Sequence, residues 1–337
     1  MKQVSILCAV AGLGLIGVLV VHFGAGAVAR SLLAVGWAGF AVLCLIHLAL
    51  IAVMGIAWRA LLPGTNPWSA IWARLVRDSA SEVLPLSQVG GYVAGARAVA
   101  IAGVSADAAA ASTLVDVGLE FFAQIAYTAI ALFWLLHLEP RAQSATPVAI
   151  GLVVAGFLAA GFVVAQRRGF GLLDRFAHAR GRGWAERTAA GAAALHNAVA
   201  DIYARASGLW VSFALHLACW IASVAEIWLA LRFMGAQLGF GAVLVLEALL
   251  YAIRSIAFAV PNAVGVQEGA YVVLGASFGL TPEAGLALSL LKRARDAAIG
   301  LPTLVAWELI ESGRQYRRAA AAPIRLGAPL ETKPRPR

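Results

Sequence analysis

Apolar runs long enough to cross a bilayer alternate along this chain with short stretches where charge, proline and glycine gather. Residues 4–23 form the first run, about 20 residues, which is the length an α-helix needs to traverse roughly 30 Å of hydrocarbon. Runs at 37–60, 105–137, 147–165 and 209–231 follow, and a last long helix starts at Thr281 and extends to 310. Residues 25–35 make a short connection between the first two runs. Lys2, the apolar stretch and Ala27-Val28-Ala29 are the ingredients of a signal peptide, but the stretch is long for that role and is expected to be the first membrane helix.

Two segments break the pattern. Residues 67–103 carry Arg74, Arg77, Asp78, Glu82 and Arg97 on a helical repeat, too many charges for a lipid-facing surface. Residues 240–279 begin apolar but hold Glu247 and Arg254, stop at Pro261-Asn262, and resume through Gly265, Gln267, Glu268 and Gly269. Non-helical backbone at membrane depth is tolerated only where protein or a water-filled cavity covers it. Both segments are therefore predicted to be interrupted helices beside an internal polar site.

The two segments share a plan. A shift of 176 residues places Pro85 on Pro261, Gly103 on Gly279, Ser105 on Thr281, Asp107 on Glu283 and Glu120 on Asp296. Each unit reads as an arginine-bearing helix ending at a proline, a glycine-containing turn, a short helix, and a capped long helix. The turns draw on Gly90 and Gly91 in one unit, Gly265 and Gly269 in the other, to give tight backbone paths. Ser105 and Thr281 suit N-caps, Pro282 suits the first helical position, and Asp107 and Glu283 suit the positive end of the helix dipole.

Between the units, Arg167, Arg168, Arg175, Arg180, Arg182, Arg187 and Arg205 face only Asp174, Glu186 and Asp201, which marks residues 167–207 as cytoplasmic. Leu195, Val199 and Ile202 recur there at helical spacing, as in an amphipathic helix lying on a membrane surface. Counting spans outward from this segment puts both termini inside, the first interrupted unit entering from the cytoplasm, and the second from the opposite face. The expected fold is an all-α integral membrane protein with about 6 full spans plus two interrupted or re-entrant helical hairpins, 8 spans if those are counted, in an inverted repeat. Its parts are a first membrane repeat with the N-terminal span (1–166), the basic segment (167–207), a second membrane repeat (208–313) and a disordered basic tail (314–337).

Composition agrees with this pattern. The 337 residues are 61% hydrophobic and 13% charged, about half the charged share of soluble domains, too little to cover a water-facing surface. The net charge of +9 is concentrated beside apolar runs, so it points to membrane orientation and not to nucleic acid. Cys8, Cys44 and Cys219 sit in apolar runs without metal-binding or redox spacing, as small hydrophobes do.

Asp116 and Glu120 are four residues apart and share a helix face, and Lys292, Arg293 and Asp296 stand on the equivalent helix of the second half. Pairing of Asp116 or Glu120 with Lys292 or Arg293 across the halves is expected, either as plain interhelical ion pairs or as the lining of a substrate path or proton relay. The candidate path comprises Arg77, Pro85, Gly90, Gly91, Asp116, Glu120, Arg254, Pro261, Gly265, Gln267, Glu268, Gly269, Lys292, Arg293 and Asp296. Glu268 is the first residue to test. Glu226 and Glu247 read as lone carboxylates, and His47, His137 and His216 as isolated core or interface histidines. No nucleophile elbow, metal-binding pair or phosphate loop occurs, so no catalytic residue, metal or cofactor is expected, and an ATP-driven pump is disfavoured.

The stretch LPLSQVGG (84–91), the pattern Pro-x-x-x-Gly-x-x-Glu-Gly in PNAVGVQEG (261–269) and LSLLKRARDAAIGLPTLVAWE (288–308) carry a family resemblance. The chain resembles the flippase-like family related to the lysylphosphatidylglycerol synthase transmembrane region, and within it the hopanoid-biosynthesis-associated HpnL subgroup. That resemblance implies a multi-pass protein of the bacterial inner membrane with membrane lipids, hopanoid or phospholipid, as partners, alongside hopanoid biosynthesis proteins. It does not imply aminoacyl transfer, which in that family belongs to a separate soluble domain. Relatives often carry Asp-Arg where this chain has Asp116-Val117, which weakens a phospholipid assignment and leaves a neutral lipid such as a hopanoid open. Three functions remain: lipid translocation without an ATP site, an intramembrane lipid-modifying enzyme using Glu268, Asp116 or Glu120, and a non-catalytic partner of biosynthetic enzymes.

Overall fold

The computed structural model describes residues 21, 25–83, 87–138, 145–168, 182–257 and 260–321. The expected first span at 4–23 lies outside these residues apart from Val21. Among the described residues the fold is all-helical, without strands: α1 (Ala25–Arg59), α2 (Pro67–Val83), α3 (Ser87–Ile101), α4 (Ala106–Leu138), α5 (Ala145–Arg168), α6 (Arg182–Tyr203), α7 (Ala206–Phe233), α8 (Phe240–Ile256), α9 (Val266–Ser277) and α10 (Pro282–Ala321). Among the described residues four stretches, Val28–Arg59, Ala106–His137, Val148–Arg167 and Ala206–Phe233, are long and apolar enough to cross a membrane.

Helix α1 is two helices joined at Gly36, whose backbone (φ 63°, ψ 169°) is outside the helical region. The short connection and the second apolar run of the sequence therefore meet at that glycine. The second part, 37–59, starts at an exposed Trp37 and ends at Arg59; in α7 an exposed Trp210 and Arg232 stand at the same separation, 173 residues further on. Pro67 and Val83 bound α2, and Phe240 and Ile256 bound α8, again offset by 173. Past the interruption the offset is 176: α4 starts at Ala106 and α10 at Pro282. The second half thus gains three residues at its break.

That break has an irregular backbone. Pro261–Ala263 form a single 3-10 turn in which Asn262 (φ 47°) and Ala263 (φ 45°) are left-handed, a conformation costing L-residues roughly 1–2 kcal/mol each. Gly265, at φ 83°, then opens α9. Pro85 lies outside the described residues, between the end of α2 and the start of α3. The long helices begin as the sequence predicts. Gly103 and Gly279 turn the chain at φ 105° and 83°, and the Ala108 and Ala284 amides donate to the Ser105 and Thr281 hydroxyls at 3.4 and 3.3 Å.

Packing is reciprocal between the halves: α4 lies against α8, and α10 against α2. At the first contact Gly241 sits under the Trp134 indole and the Tyr127 hydroxyl donates to the Leu244 carbonyl at 3.3 Å. At the second, a Cβ on Gly300 would come 2.6 Å from Val83 Cγ2. Helices α1 and α7 pack side by side beneath these contacts.

Three expectations change. The apolar stripe of α6 is spent on protein: Val199 and Ile202 are buried in a cluster with Trp58, Val115 and the α2 core, where a membrane-surface helix was expected. Helix α10 continues through Ala321, so the tail expected to be disordered from 314 is helical over its first residues; 322–337 lie outside the described residues. Gly90, Gly91 and Gly269 lie within helices α3 and α9 and make no turn. Gly91 serves close approach instead, since a Cβ there would strike the Ser81 hydroxyl and come 2.5 Å from the Arg77 carbonyl oxygen.

Gly91→Ala is therefore expected to destabilise the α2–α3 hairpin by about 1–3 kcal/mol. Gly90→Ala, with nothing within 4 Å of the added methyl, should leave thermal unfolding in detergent unchanged.

Candidate functional site: a charged chamber between the hairpins

The broken helices bring their charges to the middle of the bundle, where each ion finds a counter-ion. On α2, Arg74 and Arg77 are one turn apart and both 3% exposed. On α4, Asp116 and Glu120 are one turn apart and face them. Arg77 Nη1 lies 2.5 Å from Asp116 Oδ2 and its Nη2 lies 2.7 Å from Glu120 Oε2. Arg74 reaches Glu120 Oε1 at 2.8 Å, Asp116 Oδ2 at 3.5 Å and Asp78 Oδ2 at 2.7 Å. His216 of α7 meets the other oxygen of Asp116 through Nε2 at 2.9 Å, while its Nδ1 is buried with no hydrogen-bond partner among the described residues. Tyr92 of α3 covers the Arg77 guanidinium at 4.8 Å.

The second half repeats this with the signs exchanged. At the 173 offset Arg74 of α2 corresponds to Glu247 of α8, and at the 176 offset Asp116 of α4 corresponds to Lys292 of α10. Lys292 Nζ lies 2.9 Å from Glu247 Oε2 and 2.7 Å from the Tyr271 hydroxyl, which in turn donates to Glu247 Oε1. Beside it, Arg293 Nε lies 2.5 Å from Glu268 Oε1. Glu268 also accepts from the Gly265 amide at 2.7 Å and the Ser289 hydroxyl at 2.9 Å, so it caps α9 and ties the cap to α10. Gln267 joins the same network through Ser289 at 2.9 Å.

Two further links cross the halves. Arg295 pairs with Glu226 of α7 and with Asp296, and His47 of α1 reaches Glu226 at 3.1 Å. Arg254 of α8 lies 3.3 Å from both oxygens of Glu82 on α2, 3.1 Å from Asn262 Oδ1 and 2.8 Å from Gln267 Oε1. Asn262 donates to the Glu82 carbonyl at 2.6 Å. The ends of the two hairpins are latched together by these bonds.

The expected pairing of Asp116 or Glu120 with Lys292 or Arg293 is not what forms. Asp116 and Glu120 pair with Arg74 and Arg77 of α2, and Asp116 also with His216 of α7, whereas Lys292 and Arg293 pair with Glu247 and Glu268 of α8 and α9. Nor do Glu226 and Glu247 stand alone, or His47 and His216.

Between the walls lies a cavity of about 460 Å³. Of the sequence candidates, Arg77, Glu120, Arg254, Lys292 and Asp296 line it. Asp116, Gln267, Glu268 and Arg293 stand behind that surface as partners of lining or capping groups. Gly265 supplies the cap backbone, and Pro261 opens the 3-10 turn. The lining also includes Arg74, Asp78, Glu82, Tyr92, Gln124, Tyr251, Asn262 and Arg295, which were not in the candidate set. Their signal was present for Arg74, Asp78 and Glu82, which are charges in an otherwise apolar helix. Arg295 carried the same signal but sits among neighbours whose charges masked it. In all, six Lys/Arg and eight Asp/Glu are joined by ion pairs around this chamber. Among the described residues no group of three or more His, Cys, Asp or Glu could hold a metal ion.

These features define a helical membrane protein with a polar chamber walled by interrupted helices. The chain belongs to the lysylphosphatidylglycerol synthase transmembrane-region family, whose model matches residues 4–302. No curated protein matches the chain. No solved structure matches it.

Asp116→Asn should leave Arg74 and Arg77 short of one negative charge inside the bundle, a loss of about 3–5 kcal/mol, read as lower thermal stability of the detergent-solubilised protein. Replacing the exposed Glu308 in the same way should not change it.

Proposed function

We propose that the protein moves a membrane lipid between leaflets, with the lipid's polar head passing through the charged chamber and its apolar body remaining in the bilayer. The observation that carries this reading is the 460 Å³ cavity at the junction of the two hairpins, lined from both halves by groups that bond a polar head. Its volume suits a head group, being near the lower end of the roughly 300–1,000 Å³ of small-molecule sites. Membership of a lipid-related membrane family supports the same class of substrate. The resemblance of residues 288–308 to the hopanoid-associated subgroup favours a hopanoid or related lipid and a place in the bacterial inner membrane, and the basic segment 167–207 with the count of spans around it favours cytoplasmic termini.

The matched offsets of α1 with α7, α2 with α8 and α4 with α10, and the reciprocal packing of α4 on α8 and α10 on α2, support an inverted repeat. Helices of 17 and 15 residues in the first hairpin, and 17 and 12 in the second, extend roughly 18–26 Å at 1.5 Å per residue. That is less than the hydrocarbon thickness of about 30 Å, so each hairpin enters and leaves on one face. The latch between Arg254 and Glu82 then joins a hairpin from one face to a hairpin from the other, and its opening lets the head group pass.

Two measurements test this. In a cysteine-free background, Pro63→Cys and Ala102→Cys should react with an impermeant thiol reagent from one side of the membrane, and Gln237→Cys and Ser277→Cys from the other. Any other distribution removes the inverted hairpins. In vesicles containing traces of fluorescent hopanoid or fluorescent phosphatidylglycerol, the protein should carry one of these probes past the outer-leaflet limit of dithionite bleaching. Bleaching that stops at the limit for both probes removes translocation, and a deletion strain that lacks a hopanoid derivative would indicate lipid modification instead.

A further inference from the structure

The chain has three lysines, and two of them, Lys2 and Lys333, stand at its ends. Lys292 is the one lysine among the described residues, and in the chamber it stands among arginines. The distinction is chemical: a guanidinium keeps its proton at every accessible pH, whereas a buried ammonium can give its proton up. Lys292 is 4% exposed, lines the cavity, and touches both Tyr271 and Glu247. Tyr271 and Glu247 are fully buried, and the Tyr271 hydroxyl bridges them by accepting from Lys292 and donating to Glu247. The three groups form a continuous line of hydrogen bonds leading from the cavity into the α8–α9 interface. The corresponding pair in the first half, Arg74 with Asp116, has arginine at the basic position and no hydroxyl between.

We propose that Lys292, Tyr271 and Glu247 form a proton-binding relay that couples lipid movement to proton movement. The relay rests on the translocation reading and supplies its energy source. Lys292 passes one proton to the Tyr271 oxygen as the Tyr271 hydroxyl proton moves to Glu247, and the neutral amine left behind takes a proton from cavity water. One N–H bond, one tyrosine O–H bond and one O–H bond of a protonated cavity water break, one tyrosine O–H, one carboxyl O–H and one N–H bond form, and the net change is one proton transferred from that hydronium to Glu247, leaving neutral water in the cavity. Around the chamber eight carboxylates stand with six Lys and Arg side chains, His47 and His216, and Glu247 is the carboxylate that both Lys292 and the Tyr271 hydroxyl reach. The other charged and titratable groups on the elements packed around Lys292 are Tyr251 and Arg254 of α8, Glu268 of α9, Glu82 of α2 and His47 of α1. On α10 itself Arg293 and Arg295 are held by Glu268 and Glu226, so neither takes the place of Lys292 as counter-ion to Glu247.

The test uses the full chain in vesicles made from the total membrane lipid of the cells that produce it, loaded with the pH dye pyranine and polarised with a potassium gradient and valinomycin. Wild type should acidify the lumen faster than protein-free vesicles do. Lys292→Arg, which keeps the charge and removes the exchangeable proton, should slow that flux on the order of 100-fold. Tyr271→Phe, which changes no charge, should slow it as well and serves if Lys292→Arg does not fold. Wild-type flux equal to that of empty vesicles, or flux preserved in both variants, overturns the relay. Bleaching of the fluorescent lipid probes in the same vesicles separates the two readings: lipid movement without proton flux sinks the relay alone, and proton flux without lipid movement sinks the coupling together with translocation.

Discussion

Ion pairing under desolvation governs this molecule. Moving a carboxylate or guanidinium out of water costs several kcal/mol per ion, and the cost is recovered only with good geometry and a full set of hydrogen bonds. Fourteen such groups stand around one chamber, between helices that are otherwise apolar. Their side chains must meet, so the helices bearing them are fixed relative to one another. Gly91 lets α3 lie against the Arg77 turn of α2, Gly300 lets α10 lie against Val83, and the Glu268 cap ties the start of α9 to Arg293. The broken backbone at 261–265 is tolerable for the same reason, since Arg293 donates to the Asn262 and Ala263 carbonyls at 3.3 and 3.5 Å.

The two halves solve one electrostatic problem with opposite signs. In the first, the hairpin brings the cations and the long helix brings the carboxylates; in the second, the hairpin brings Glu247 and Glu268 and the long helix brings Lys292 and Arg293. A chamber built this way presents positive and negative groups on facing walls. Each Lys or Arg that lines the chamber already has a carboxylate partner, so its walls carry paired and not bare charge. Among the described residues, the polar contacts that hold the hairpin tips together are those of Arg254 and Asn262 with Glu82, and Glu82 is the more exposed member of that ion pair.

Much of the architecture is legible in the sequence. Ser105, Gly103, Thr281, Gly279 and Pro282 locate the starts of α4 and α10, because caps and positive-φ glycines act within a few residues of backbone. Pro261 and Asn262 locate the break between α8 and α9 for the same local reason. The matched spacing of helix bounds in the two halves is partly legible too, though a single shift of 176 conceals that the bounds match at 173 ahead of the break. That three-residue difference hides the correspondence of Arg74 with Glu247, and with it the reversal of sign.

What the sequence determined by itself was where helices start, stop and break, that the chain crosses a membrane, and which polar residues could not face lipid. These follow from local backbone chemistry and from the cost of leaving charge in hydrocarbon. Only the tertiary structure decided which charges meet. An offset states which residues are equivalent, whereas contact depends on how the helices are set against one another, so Asp116 and Glu120 went to Arg74 and Arg77, and Lys292 went to Glu247. It also decided that Glu268 caps a helix behind the cavity while Arg295 and Asn262 reach its surface, because the direction a side chain takes is set by the rotation of its helix against its neighbours.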